Sequence, residues 1–408
     1  MRCCSRIWEY GFSNMHEPEE SELRKRIGSE LEELWKQSQL RVLDGLSGID
    51  FSSNDYLGLA RDPRLKLALF EAVTRADRVG STGSRLLSGN AKAWQHLEME
   101  FAKFAGSEAA LYFGSGYAAS VGLLTAILRP GDTVFSDELN HASLIDGIRL
   151  SRAQKFIYPH RDMDALERGL RLRRTIPGVR VIVTESVFSM EGDVAPIDRL
   201  IGLARSYGAE LVVDEAHATG VWGPEGRGIV AERGYEREVL AIVHSCGKAL
   251  ASAGAVVCSG LSLKRYLVNR ARSFIYSTAQ PPYLAGQILA SLGLARKGDG
   301  ERYQLFRVAA ALRERFAATK IACGSSTTQI VPVILGSNQA ARSVSARLGE
   351  CGFSVRAILP PTVPLGTSRL RLSLTSRLAL EDVDRLVGVI ESTLRSLELR
   401  RSVEDAHA

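Results

Sequence analysis

The hydrophobic pattern changes character three times along the chain. From Glu19 to Gln39, Leu23, Ile27, Leu31, Leu34 and Trp35 recur at intervals of three and four with Glu and Lys between them, which predicts an amphipathic helix. After an Asp44-Gly45 turn signal, the run Ile49 to Gly58 reads as a short strand entering an Asn/Asp/Gly turn. Between Leu111 and Cys258, short apolar runs at 133–135, 155–158, 179–184, 210–213, 240–243 and 254–258 alternate with helical stretches. Strands that are apolar on both faces are covered on both faces, so this alternation predicts a mainly parallel sheet flanked by helices. Beyond Pro281-Pro282 the pattern becomes two long helices (285–296 and 303–316), then strands over 329–335, 354–358 and 369–374 with helices over 338–351 and 381–397. The expected organisation is an N-terminal tail and helix (1–50), a large domain (51–290) and a small α+β C-terminal domain (291–408), which the N-terminal helix could join.

Composition narrows the classes. With 408 residues, 45% hydrophobic and 24% charged, the chain can bury a large core without crosslinks, which excludes disorder over most of its length. A formal net charge of +6 does not call for nucleic acid, though it would accommodate an anionic ligand. The six cysteines (Cys3, Cys4, Cys246, Cys258, Cys323, Cys351) are scattered, so neither a metal site nor a disulfide framework is expected and a reducing cytoplasm fits. No apolar run approaches the roughly 20 residues of a membrane helix. The segment Arg2 to Tyr10 lacks the apolar core of a secretory signal, which leaves Cys3 and Cys4 in a loose tail and Met15 as an alternative start.

In a doubly wound sheet, ligands bind beyond the carboxyl ends of the strands, and here those ends carry the chemistry. The run 181–184 exits into Glu185-Ser186-Val187-Phe188-Ser189-Met190-Glu191-Gly192-Asp193, and 211–213 exits into Asp214-Glu215-Ala216-His217. The run 242–243 exits into His244-Ser245-Cys246-Gly247-Lys248, and Phe135 into Ser136-Asp137-Glu138-Leu139-Asn140-His141. Gly114-Ser115-Gly116 opens the helical stretch Tyr117 to Leu128. Singly, each has a structural explanation: Asp214 as a helix cap, Lys248 as a surface lysine, the glycines as a turn. Together they are the parts that pyridoxal phosphate (PLP) requires, namely an amine, a carboxylate for the ring nitrogen, a flat group over the ring, and amides and hydroxyls for the phosphate.

The same residues carry a resemblance. F-S-S-N-D-Y-L-G-L at 51–59, G-S-T-G-S-R-L-L-S-G-N at 80–90, F-S-M-E-G-D at 188–193, V-D-E-A-H-A-T-G at 213–220, G-K at 247–248, Tyr276-Ser277-Thr278 and Pro360-Pro361-Thr362-Val363-Pro364 occur in this order. Over about 51–395 the chain resembles the α-oxoamine synthase family of α/β fold-type I PLP-dependent transferases, which are aspartate aminotransferase-like. The resemblance implies that Lys248 bonds the cofactor and later serves as general base, with Asp214 on the ring nitrogen, His217 on the ring oxygen and His141 over the ring face. It also implies that Gly116, Tyr117, Ser189 and Ser245 hold the cofactor, and that Ser277 and Thr278 reach the neighbouring subunit's phosphate, hence a homodimer with shared sites. Asn54, Tyr56, Thr362 and Arg371 fall on the substrate side, Arg371 as the holder of the amino-acid carboxylate. The implied reaction is a decarboxylative condensation of an amino acid with an acyl thioester of coenzyme A or a carrier protein. Two positions depart from the pattern: Leu359, where an arginine is common, and Trp35-Lys36, near where the family has an arginine cluster.

Two other classes compete. A non-catalytic subunit of the same fold would not need Lys248, Asp214 and His141 together, and a nicotinamide enzyme would show G-x-G-x-x-G after a strand, with an acidic residue about 20 positions on.

Overall fold

The computed structural model describes residues 21–43, 45 and 47–406, with side chains described as far as residue 397. The tail with Cys3, Cys4 and Met15, and Asp44 of the expected turn, lie outside these residues. Helix α1 (Glu22–Lys36) starts behind Ser21, whose hydroxyl accepts from the Arg24 N–H. Its apolar stripe is not packed: no α1 residue is buried, and Trp35 is 70% exposed. Hydrogen bonds from the C-terminal part hold the segment that follows. Asn338 donates to the Gln37 carbonyl, and the Arg342 guanidinium donates to those of Ser38 and Leu40. Strand β1 (Ile49–Asp50) then pairs in parallel with Phe353–Ser354, and the expected turn follows at once, where Asp50 accepts from the N–H groups of Ser52 and Ser53.

Helices α2 (Pro63–Arg75) and α3 (Lys92–Ala105) were not anticipated. A signal for α2 was present, since Asp62 caps it and Pro63 occupies its first turn. Helix α3 buries Trp94, Leu97, Phe101 and Phe104 against the sheet. The sheet itself contains β2 (Ala109–Phe113), β3 (Thr133–Asp137), β4 (Gln154–Tyr158), β5 (Arg180–Glu185), β6 (Glu210–Asp214), β7 (Ala241–Ser245) and β8 (Ala255–Ser259). It is seven-stranded with order β2-β8-β7-β6-β5-β3-β4. Only β8 runs antiparallel to its neighbours, β2 and β7. Between the strands lie α4 (Gly116–Ile127), α5 (Ala142–Ser151), α6 (Met163–Leu172), α7 (Ile197–Tyr207) and the short α8 (Ile229–Glu232), followed by α9 (Leu261–Arg270) and α10 (Arg272–Ile275). Strands β2, β3, β7 and β8 are buried throughout, as two covered faces require, whereas the edge strand β4 exposes Gln154 and Lys155.

Helices α11 (Tyr283–Arg296) and α12 (Asp299–Ala318) lead to a three-stranded antiparallel sheet in the order β11-β12-β9, made of β9 (Ile330–Gly336), β11 (Ala357–Ile358) and β12 (Ser368–Ser373). It packs with α13 (Asn338–Glu350), and α14 (Leu380–Ala406) packs on α12 and α13. The single strand expected over 354–358 is two pieces, β10 (Phe353–Ser354) and β11, because its halves pair with different partners. Leu359 is buried. The four described cysteines are free, and among the described residues no helix is long and apolar enough to cross a membrane.

Contact between the two parts runs through the loop after β5. Gly192 has φ +68, and a Cβ there would lie 1.9 Å from the Ile330 carbonyl oxygen. Its own carbonyl accepts from the N–H groups of Thr327 and Thr328 and from the Thr328 hydroxyl. Gly192→Ala is therefore expected to lower unfolding free energy by at least about 1–2 kcal/mol from the left-handed conformation alone, more with the clash. Denaturant titration checks this; an unchanged midpoint would refute the close approach.

Candidate active site

Strands β2, β3, β5, β6 and β7 run the same way, so their carboxyl ends meet along one rim of the sheet. Chain order reverses between β3 and β5, which puts a topological switch point at that rim. There the Lys248 amine lies 2.9 Å from His217 Nε2, and His217 Nδ1 lies 2.6 Å from the Tyr56 hydroxyl. The Tyr56 hydroxyl is also 3.0 Å from Asn54 Oδ1, which accepts from both terminal nitrogens of Arg371 at 3.1 Å. Arg371 further donates to the Ser189 carbonyl and, at 2.8 Å, to the Ser373 hydroxyl. A continuous polar chain thus joins the loop after β7, the loop after β6, the turn after β1, and β12.

Electrostatics follow from this crowding. Removal from water pushes the Lys248 amine down to about 8, with Asp214 and Glu185 opposing the shift. His217 is 5% exposed, and burial takes its pKa well below the ordinary value, assisted by Lys248 and Arg371. It is a neutral ring, and burial likewise raises the Tyr56 phenol. His141 caps α5: Ser143 N–H donates to its Nδ1 at 3.2 Å, which leaves the neutral ring's proton on Nε2. The surrounding protein lowers its pKa, Asp214 opposing and Lys248 assisting.

The remaining expected residues are placed as follows. Asp214 ends β6 at 7% exposure and accepts from the Ala216 N–H at 2.8 Å. Gly116 and Tyr117 open α4, where Ser115 Oγ already takes the Ala118 N–H, leaving the first two amides to face an anion. The Tyr117 side chain turns away to Asp146. Ser189 and Ser245 are buried, and Ser245 Oγ accepts from the Gly247 N–H at 3.3 Å. Ser277 and Thr278 line a cavity of about 260 Å³ that also includes Gly114 and Ser115. Thr362 stands apart from the polar chain, exposed, with its hydroxyl accepting from Arg41 at 3.2 Å.

Three residues were missed. Glu185 ends β5 beside Asp214, buried, with Oε1 unpartnered, and burial raises its pKa. Its signal was the same that marked Asp214, a carboxylate at the exit of an apolar strand. Gln329 donates to the His217 carbonyl at 2.7 Å and gave no local signal. His160 sits between Asp137 and Asp193.

The donor set fits PLP. It offers an amine near neutrality, a strand-end carboxylate, an exposed imidazole, and open space before Gly116, where an added Cβ would meet nothing within 4 Å. Fold and site together are those of a fold-type I PLP-dependent transferase.

The sequence profile of the aminotransferase class I and II family matches residues 47–390, and the chain belongs to that family. An 8-amino-7-oxononanoate synthase from Burkholderia mallei (strain SAVP1) is 47% identical over 355 residues, covering 86% of this chain and 89% of that protein. Among solved structures, a serine palmitoyltransferase with bound PLP from S. paucimobilis is 26% identical with a TM-score of 0.85, covering 93% and 100% of the two chains. An 8-amino-7-oxononanoate synthase from Francisella tularensis is 29% identical with a TM-score of 0.75, covering 86% and 99%.

In cofactor-free protein, the Lys248 amine is expected to titrate near pH 8. Its labelling by an amine-directed reagent, followed by peptide mass spectrometry, should rise through that pH, ahead of surface lysines at about 10.4. A Lys248 that labels only with the surface set would contradict the desolvated site.

Proposed function

We propose that the chain is a PLP-dependent acyltransferase of the 8-amino-7-oxononanoate synthase type, condensing L-alanine with a pimeloyl thioester of coenzyme A or a carrier protein. The products are 8-amino-7-oxononanoate, carbon dioxide and the free thiol carrier. The observation that carries this reading is the 47% identity over 86% of the chain, with the Lys248–His217–Tyr56–Asn54–Arg371 chain lying inside residues 47–390 that the family profile matches.

When bound, PLP supplies a ring that withdraws electrons from the amino-acid α-carbon. Every other task falls to the protein. Lys248 provides the amine that anchors the cofactor carbonyl carbon, and with its pKa near 8 it can then take the α-proton. Asp214 holds the proton on the ring nitrogen. His217, neutral and held between Lys248 and Tyr56, would offer a ring nitrogen to the cofactor's oxygen substituent, and His141 would serve as the flat group for the ring face. The first amides of α4 receive the phosphate, with the Ser245 hydroxyl and, across a homodimer, Ser277 and Thr278. Arg371, its Nε taken by the Ser189 carbonyl, offers its terminal nitrogens as a fork for the amino-acid carboxylate. Asn54, Tyr56 and Thr362 complete the substrate side.

A serine palmitoyltransferase-type activity is the second reading, favoured by the higher TM-score of 0.85. Backbone agreement at 26% identity reports the shared scaffold, whereas 47% identity over most of the chain is agreement in side chains as well, so the first reading is preferred. Glycine C-acetyltransferase and 5-aminolevulinate synthase types use the same machinery.

Turnover of alanine, serine and glycine with pimeloyl, acetyl, succinyl and palmitoyl thioesters decides among them, and preference for any pair other than alanine with pimeloyl would displace the first reading. Borohydride should fix the cofactor to Lys248, and Lys248→Ala should abolish both fixation and turnover. Arg371→Lys should raise the amino-acid KM about 10- to 100-fold with a smaller change in the acyl KM, because a point charge replaces a fork.

A further inference from the structure

His160 follows β4 and lies outside the residues assigned to the reaction. Both of its ring nitrogens face carboxylates: Nδ1 is 2.9 Å from Asp137 Oδ1, and Nε2 is 3.1 Å from Asp193 Oδ2. Both aspartates are buried, at 2% and 1% exposure. A neutral imidazole donates only one hydrogen bond, so this arrangement calls for the doubly protonated ring. Burial works against that charge, yet the hydrogen bonds to Asp137 and Asp193 prevail and hold the pKa at about 9. Next to it, Arg161 adopts φ 58, a left-handed conformation unusual for a residue with a side chain, and in doing so donates its N–H to Asp137 and its guanidinium to Asp193.

Other charged and polar groups complete the enclosure. Glu138 accepts the His160 N–H at 2.8 Å, Ser325 donates to Asp193 at 2.8 Å, and Glu191 on the same loop is paired with Arg369 at 2.9 Å. The imidazole also meets the Phe188 ring edge to face, with centroids 4.4 Å apart. The loop held in this way, 188–193, is the one whose Ser189 carbonyl takes Arg371 Nε.

We propose that His160 is a positioning residue for amino-acid binding: an imidazolium clamped between Asp137 and Asp193, it fixes the 188–193 loop and, through the Ser189 carbonyl, the aim of the Arg371 guanidinium. This rests on the assignment of Arg371 to an amino-acid carboxylate. His160→Gln keeps amide donors but removes the positive charge that both carboxylates face. Asp137→Asn is the milder variant, since it leaves His160 its Asp193 partner.

The test has two readouts. In cofactor-loaded protein, spectral titration with L-alanine should give a dissociation constant about tenfold weaker in both variants. The acyl-thioester KM should stay within twofold. In the unsubstituted protein, alanine affinity should weaken as pH rises through 9, and this step should be absent from His160→Gln. In cofactor-free protein, a group whose folded pKa is raised stabilises fully below its unfolded value of about 6.5 and loses that contribution as pH rises through 9. The thermal midpoint should therefore fall over this window, and less steeply in His160→Gln. Alanine affinity within twofold of the unsubstituted protein in both variants would overturn the positioning role, and an unchanged thermal slope would overturn the charged clamp. If alanine, serine and glycine all leave the unsubstituted spectrum unchanged, the amino-acid reading itself fails, while the thermal slope still decides the charge on His160.

Discussion

The site is organised around one amine that must sit among opposed charges without being neutralised by any of them. Lys248 is drawn partly out of water, which favours its neutral form, while Asp214 and Glu185 favour the ammonium. The balance near 8 gives the amine access to both forms near neutral pH, which suits the double role proposed for it, bonding a carbonyl carbon and carrying a proton. A full salt bridge would hold the proton too firmly. The residue within hydrogen-bond reach is instead the neutral ring of His217, fixed from behind by Tyr56.

That balance depends on the sheet. Parallel strands deliver their carboxyl ends to a common rim, so Asp137, Glu185, Asp214 and Ser245 become neighbours although more than 100 residues separate the first from the last. Strands buried on both faces cannot slide, since a shift of one residue would exchange the two core-facing sets. Register therefore fixes the placement of Glu185 opposite Asp214, and with it the crowding of carboxylates near the amine. Helix α4 adds its amino end at the same rim, because β2 runs parallel to β7 although both pair with antiparallel β8.

The second dependency is the 188–193 loop. One side is held by His160 and Arg161; the other is gripped by Ser325, Thr328, Arg369 and Arg371 from the C-terminal part. Gly192 lets the Ile330 carbonyl approach where any side chain would block it. Residues proposed for cofactor and substrate are thereby held in one frame, which couples His160 to Arg371 although the two are well separated in sequence.

Much of this was legible in the residue pattern. Buried-on-both-faces runs announced the parallel strands, and polar residues crowding the ends of those runs marked Lys248, Asp214, His217 and His141 as candidates, because such signals are local and need no knowledge of what lies opposite. Helix α2 escaped despite its Asp62-Pro63 start, and the apolar stripe of α1, which suggested that it could join the C-terminal part, is exposed. Glu185 carried the same mark as Asp214, yet its meaning came only with the ladder that sets the two side by side. Gln329 and His160 had no local mark at all: one reaches the His217 carbonyl across 112 positions, the other closes between aspartates 23 and 33 positions away. The sequence by itself determined most of the strands, the mainly parallel run of the large sheet and the polar groups that follow its strands, though not β2 or the antiparallel course of β8, since periodicity and strand-end polarity are properties of neighbouring residues. Only the tertiary structure decided which of those groups touch, which ring is charged and which is neutral, because hydrogen-bond partners and loss of water are set by segments that meet only after folding.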